Sequence, residues 1–158
     1  MEEVITLRVA SRDDLESILA VQRLSAEAGA WEAEDYVSAL EDEGTVCLVA
    51  EGRVWDRLAG FLVARTVSDE MEVLNLAVAP DYRRRGIARR LLGEVLTRAQ
   101  QQGVRQCWLE VRASNRAALD FYHALGFEES HRRCRYYRDP AEDAVVCQRL
   151  LPAAGPAP

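Results

Sequence analysis

The segment spanning residues 70–99 constrains the fold more than any other part of the chain. An apolar strand over residues 70–78 breaks at Pro80-Asp81 and passes through Arg83-Arg84-Arg85-Gly86 into a helix. Ile87, Leu91 and Val95, with Leu92, Leu96 and Ala99, give that helix a wide apolar stripe that ends near Gly103. Such a stripe must be buried, and a strand leading straight into it supplies a sheet to bury it on.

The flanking segments extend this pattern. Residues 4–9 alternate as a first strand. Ser11 reads as an N-cap, with Asp14 completing an imperfect capping box, and the helix it opens runs through Leu15, Ile18, Leu19, Gln22 and Arg23 to Gly29. A short helix over 33–40 follows Trp31. Strands at 46–50 and 57–67 flank a turn at Gly52-Arg53, and the 70–78 strand comes next. After the central helix come a strand over 106–111 and a helix capped by Ser114-Asn115, with Ala118, Phe121, Tyr122 and Leu125 on one face and Gly126 as its C-cap. Residues 127–137 and 144–150 form a terminal hairpin around Asp139-Pro140. The order β-α-α-β-β-β-α-β-α-β-β predicts an α/β fold, a mixed sheet covered by helices with an antiparallel front half. The 158 residues fit one domain over 1–151, with a Pro/Ala/Gly-rich tail at 152–158 expected to be disordered.

Composition narrows the functional classes. A net charge of −6 argues against non-specific nucleic-acid binding and suits a basic substrate. Acid-rich stretches lie at Glu32–Asp35, Glu41–Glu43 and Asp69–Glu72; they read as solvated surface or as an attraction for a cationic substrate. No apolar run is long enough to span a membrane, and the N-terminus lacks the basic region of a secretory signal, so the expected location is the cytoplasm. Cys47, Cys107, Cys134 and Cys147 form no C-x-x-C pair, and neither His123 nor His131 shows ligand spacing with them. Buried free thiols and no metal site are expected.

The turn into the central helix has the chemistry of an anion site. A helix N-terminus presents unpaired N–H groups and partial positive charge. Gly86 and the small Ala88 allow close backbone approach, and Arg83, Arg84, Arg85 and Arg89 add fixed charge. A pyrophosphate would suit it. The alternative is a basic helix start that only decorates the surface. The Gly-Lys-Ser/Thr of a P-loop and the Gly-x-Gly-x-x-Gly of a dinucleotide fold are both absent.

Arg83-Arg84-Arg85-Gly86-Ile87-Ala88 resembles the Q/R-x-x-G-x-G/A signature of the GNAT superfamily of N-acetyltransferases. Asn75-Leu76-Ala77-Val78 precedes it as that family's central strand does, and the likeness extends over roughly residues 4–150. The run Trp108-Leu109-Glu110-Val111-Arg112-Ala113-Ser114-Asn115, with its spacing to Tyr122, and the later Arg132-Arg133-Cys134-Arg135-Tyr136-Tyr137 are similar to a narrower branch. That branch acetylates the N-terminal alanine of protein eighteen of the small ribosomal subunit. The resemblance implies a GNAT fold with about seven strands flanked by about four helices. It implies acetyl-CoA as the donor, the N-terminal segment of a protein, ribosomal in that branch, as acceptor, and a monomer or weak dimer. Leu76, Ala77, Val78, Arg83–Arg89 and Asn115 would hold the cofactor.

Two residues are candidates for proton transfer. Glu110 interrupts an apolar strand and shares a face with Trp108; by itself it reads equally well as a base or as an acid paired with an arginine such as Arg112. Helical spacing alone would put Tyr122 in the core. The resemblance implies instead that Glu110 is the general base and Tyr122 the general acid. An α-amine, with a pKa near about 8 against about 10.4 for lysine, is the easier amine for a carboxylate to deprotonate. Trp31, Tyr36, Tyr136 and Tyr137 would either line a peptide site or pack in the core. Acetylation of a small amine, such as a polyamine or aminoglycoside, and a non-catalytic acyl-CoA-binding module are the competing functions.

Overall fold

The computed structural model describes residues 3–52, 57–138 and 140–153. Within them lie seven strands, β1 (Ile5–Val9), β2 (Thr45–Gly52), β3 (Leu58–Val67), β4 (Glu70–Val78), β5 (Gln106–Arg112), β6 (Glu128–Arg138) and β7 (Ala141–Leu150). Four α-helices accompany them: α1 (Leu15–Arg23), α2 (Ala33–Glu41), α3 (Ile87–Gln101) and α4 (Arg116–Ala124). The mixed α/β architecture and its element order are those expected. The Gly52-Arg53 turn, the hairpin tip at Asp139 and the tail from residue 154 onward fall wholly or partly outside the described residues.

The sheet runs β1-β2-β3-β4-β5-β7-β6. Every neighbouring pair is antiparallel except β4 and β5, which are parallel. At the centre, Leu58 to Ala64 of β3 are buried without alternation, because helices cover both faces there. The front face carries α1 and α2: Tyr36 of α2 meets Phe61 of β3 edge-on, with ring centroids 5.7 Å apart. Helix α3 touches the same strands β2, β3 and β4 and therefore covers the back face. Its stripe, Ile87, Leu91, Leu92, Val95, Leu96 and Ala99, is buried throughout.

Helix α1 departs from the sequence expectation at both ends. Ser11 opens a short 3-10 turn, Arg12–Asp14, and the α-helix begins only at Leu15. Asp14 accepts from the Ser11 N–H at 2.8 Å and from both Arg8 guanidinium nitrogens, at 2.8 and 2.7 Å. Arg8 holds the Asp14 carboxyl below the usual aspartate range, through its hydrogen bonds first. The helix stops at Arg23 rather than continuing to Gly29. The Gly29 N–H is instead taken by the side chain of Asn75 on β4, at 3.0 Å, so a long-range contact overrides local helix extension.

Candidate active site

The site begins where the sheet comes apart. Strands β4 and β5 pair only through Glu70–Gln106, Met71–Cys107 and Glu72–Trp108. Beyond that rung, the rest of β4 and Leu109 to Arg112 of β5 diverge, leaving a gap lined by backbone. A bulge contributes: Val63 pairs with Asn75 and Ala64 with Val73, so Leu74 is an extra residue in β4. The Ala79 N–H donates to Ala59 O on β3 at 2.8 Å. By alternation Ala77 and Asn75 also turn their backbone groups to β3, while Leu76 and Val78 turn theirs into the gap. Of the stretch 76–78, the N–H groups turned toward the gap are therefore those of Val78 and of Leu76, the latter donating to its neighbour Asn75 Oδ1 at 3.1 Å, and Ala77 contributes its buried side chain to the front face.

The basic turn lies at the end of that gap. Arg84 (φ 61°) and Gly86 (φ 72°) both adopt left-handed backbone conformations, which curl successive N–H groups around one point. The first bond of α3 is Arg90 N–H to Gly86 O, so the N–H groups of Ile87, Ala88 and Arg89 lie ahead of it. Arg83 donates to Val78 O at 3.3 Å, and Arg85 pairs with Glu3 at 3.5 Å and stacks over the Tyr82 ring. Arg84 and Arg89 are exposed and, among the described residues, without an ion-pair partner. Glycine is required at position 86 by its backbone angle rather than by space, since an added Cβ would meet nothing within 4 Å. Gly86→Ala is expected to cost about 1–2 kcal/mol of strain in the turn and to weaken acetyl-CoA binding roughly tenfold. Isothermal titration calorimetry would show it; an unchanged affinity would separate the turn from cofactor binding.

Glu110 and Tyr122 lie on opposite faces of the sheet. The register Glu72–Trp108 puts those side chains on one face, and alternation adds Glu110. That face is the front one, because Glu72 pairs with Arg65, two strand positions from Val63 and four from Phe61. Tyr122 projects from α4 onto the back face, beside the buried Cys107 and Cys147. It packs edge-on against Phe121 and Phe127, at 5.1 and 5.7 Å. Its hydroxyl has no hydrogen-bond partner among the described residues. Burial pushes the phenol pKa well above the ordinary tyrosine value. Asn115 caps α4, accepting from Ala118 N–H at 3.1 Å.

The neighbours of Glu110 differ from those expected. Its ion pair is with Arg133 of β6, at 3.1 Å, and not with Arg112. Arg112 instead pairs with Glu142 and lies 4.2 Å over the Tyr137 ring. The β6–β7 register slips by two residues between Arg133 and Tyr137, around Arg135 at φ 50°, and this swings Tyr136 toward Glu110. The Glu110 charge raises the Tyr136 phenol pKa. Glu72, which the acid-rich stretch Asp69–Glu72 places among solvated surface acids, faces this cluster. Burial, and then the neighbouring Glu110, raise its pKa against the opposing pull of Arg65. Its signal was an acid between the apolar Met71 and Val73 in a strand.

The four aromatic candidates divide. Tyr136 is half-exposed beside Glu110, and Tyr137 is partly covered by Arg112. Trp31 is partly buried in the loop between α1 and α2, 5.0 Å from the Tyr36 ring. Tyr36 is 1% exposed and belongs to the core, which corrects its reading as a peptide-contacting ring. Asn75 and Gln22, which the sequence reading did not single out as site residues, hydrogen-bond around its hydroxyl.

No helix is long and apolar enough to cross a membrane among the described residues, and no group of three or more His, Cys, Asp or Glu there is arranged to hold a metal. Cys47 and Cys107 are buried free thiols, pushed up to about 12 by that burial, whereas Cys134 is exposed on β6.

Comparison with known proteins gives a consistent set of likenesses. Residues 12–127 match the model of the acetyltransferase (GNAT) family. The [ribosomal protein bS18]-alanine N-acetyltransferase of Escherichia coli K12 is 44% identical over 92 residues, which span 57% of this chain and 62% of that protein. The crystal structure of the ribosomal-protein-S18-alanine N-acetyltransferase from Escherichia coli superposes with a TM-score of 0.84 at 31% identity, covering 98% of this chain and 99% of that one. That of Ard1 from Thermoplasma volcanium superposes with a TM-score of 0.83 at 26% identity, covering 93% and 97%.

Proposed function

The chain belongs to the acetyltransferase (GNAT) family, and on that premise we propose that it transfers the acetyl group of acetyl-CoA to the N-terminal α-amine of a protein, in particular an N-terminal alanine of a ribosomal protein. The observation that carries this reading is the split between β4 and β5, with a carboxylate on its front face and a partly buried phenol on its back face. The likeness to the Escherichia coli alanine N-acetyltransferase supports the choice of acceptor.

The residues present fit acetyl-CoA. The left-handed turn at Arg84 and Gly86, the start of α3 and the exposed Arg84 and Arg89 suit its phosphates. The N–H groups of Leu76 and Val78 suit the amide and carbonyl oxygens of an extended acyl chain, the second as donors to an oxygen that gains charge. Acetyl-CoA supplies an activated acyl group on a thiolate leaving group. Glu110 takes the proton of the attacking amine, directly or through one water. Tyr122, kept neutral by burial, gives its hydroxyl proton to the departing sulfur from the other face. Asn115 fixes the start of the helix that carries Tyr122. On the front face Tyr136 and Tyr137 flank Glu110 from β6, where an extended peptide would lie.

A direct test is acetyl transfer to a short peptide beginning Ala-Arg-Tyr, with the modified nitrogen located by mass spectrometry. The same peptide blocked at its N-terminus, a lysine-containing peptide and spermidine serve as controls. Acetylation confined to the free α-amine is expected. Transfer to spermidine or to lysine instead would overturn the acceptor assignment.

A further inference from the structure

We propose that Asn75 is a positioning residue that couples the acyl-binding edge of β4 to the loop at residues 24–32; this deepens the proposed function and rests on its cleft assignment. The Asn75 side chain is 5% exposed in the middle of an otherwise apolar strand segment, and the Leu74 bulge turns it to the front face. Its Oδ1 accepts two hydrogen bonds, from Gly29 N–H at 3.0 Å and from Leu76 N–H at 3.1 Å. Its Nδ2 donates to the Tyr36 hydroxyl at 3.0 Å. That hydroxyl donates to Gln22 Oε1, and the Gln22 amide holds both backbone groups of Trp31, donating to its carbonyl at 2.8 Å and accepting from its N–H at 3.3 Å.

The consequence follows from the capacity of one amide. A carbonyl oxygen has two lone pairs, and Asn75 Oδ1 uses both. One of its donors belongs to the loop on the front face. The other is the Leu76 N–H, which points into the gap between β4 and β5. When that N–H turns to a ligand oxygen, Oδ1 is left to Gly29 alone, and the hydrogen bond holding the loop strengthens. Hydrogen-bonded side-chain chains transmit such changes because each bond polarises the next. Filling the cleft on its cofactor side thus tightens the loop that carries Trp31, on the side where the amine enters. A purely structural asparagine would brace the loop equally in both states.

Hydrogen–deuterium exchange of the whole chain, with and without acetyl-CoA, tests the coupling and does not depend on which amine is accepted. In the wild type, acetyl-CoA is expected to slow exchange in the peptide containing Gly29 severalfold. In Asn75→Ala, that peptide exchanges faster at rest and no longer responds to acetyl-CoA. Tyr36→Phe keeps the ring against Phe61 and removes only the hydroxyl, so it gives the same answer if the first variant folds poorly: a weakened response. In turnover, Asn75→Ala is expected to raise the peptide KM about tenfold, the equivalent of one hydrogen bond, with a smaller change in kcat. An equal response to acetyl-CoA in wild type and both variants, or none in the wild type, would overturn the proposal. Coupling without acetylation of any peptide would leave it standing and remove the acceptor assignment. Acetylation of the peptide without coupling would do the reverse.

Discussion

Glu110→Gln is expected to lower kcat/KM for α-amine acetylation by about 10²-fold or more, the usual scale for losing a general base. Glutamine keeps the length of the side chain and an oxygen for the Arg133 guanidinium 3.1 Å away, but it cannot take a proton. The ion pair it alters has a half-exposed arginine, so its contribution to stability is at most about 1 kcal/mol. Thermal unfolding should therefore be nearly unchanged. Acetyl-CoA binding should be unchanged as well, because Glu110 faces the front of the sheet and the turn proposed to take the phosphates lies at the far end of the gap. Steady-state kinetics with calorimetry of cofactor binding would check both halves. A variant with wild-type turnover would remove Glu110 from proton transfer.

The second large effect is expected at Tyr122. Tyr122→Phe keeps the edge-on packing against Phe121 and Phe127 and removes one hydroxyl. The rate should fall in kcat by about 10²-fold, with little change in peptide KM, because the role proposed for the hydroxyl is at the leaving group. Burial raises the pKa of this phenol, so the folded enzyme holds the proton through the ordinary tyrosine value, near about 10. The sign is fixed by that direction: the acid form is present below the raised value and is lost only above it. The wild-type kcat should consequently show no alkaline decline between about pH 8 and pH 10 that disappears in Tyr122→Phe. A decline in that range, absent from the variant, would mean that the phenol ionises there and is not shielded.

Much of this arrangement was legible in the chain because it rests on local chemistry. The α3 stripe is a periodic pattern that only burial explains, and all six of its named residues are buried. Gly86 and Gly126 stand at helix ends with φ of 72° and 89°, a conformation that glycine adopts without strain. Asn115 caps α4 as its position before Ala118 suggested. What was not legible depends on register and on distant partners. The Leu74 bulge leaves no mark in the apolar run around it, yet it puts Glu72 and Asn75 on one face. The ion pair of Glu110 could not be read from adjacency, because its partner lies on an edge strand whose register slips beyond Arg133. The end of α1 is hidden for the same reason: Gly29 answers to Asn75, 46 residues away, rather than to its own helix. For Tyr36 the chain leaves peptide site and core both open, because burial of an aromatic on a short helix depends on what it packs against, here Phe61. The opposite-face placement of Glu110 and Tyr122 required the sheet order itself.

That placement is also what a single binding measurement can probe. A conjugate joining the sulfur of CoA through an acetyl bridge to the α-amine of an Ala-Arg-Tyr peptide would have to thread the gap, with its peptide on the Glu110 face and its CoA on the Tyr122 face. Calorimetry against the wild-type chain is expected to give a Kd at least about 10²-fold below that of CoA alone, with the gain lost when the peptide is attached through a lysine side chain. A conjugate that binds no more tightly than CoA would contradict a cleft that receives cofactor and amine from opposite faces.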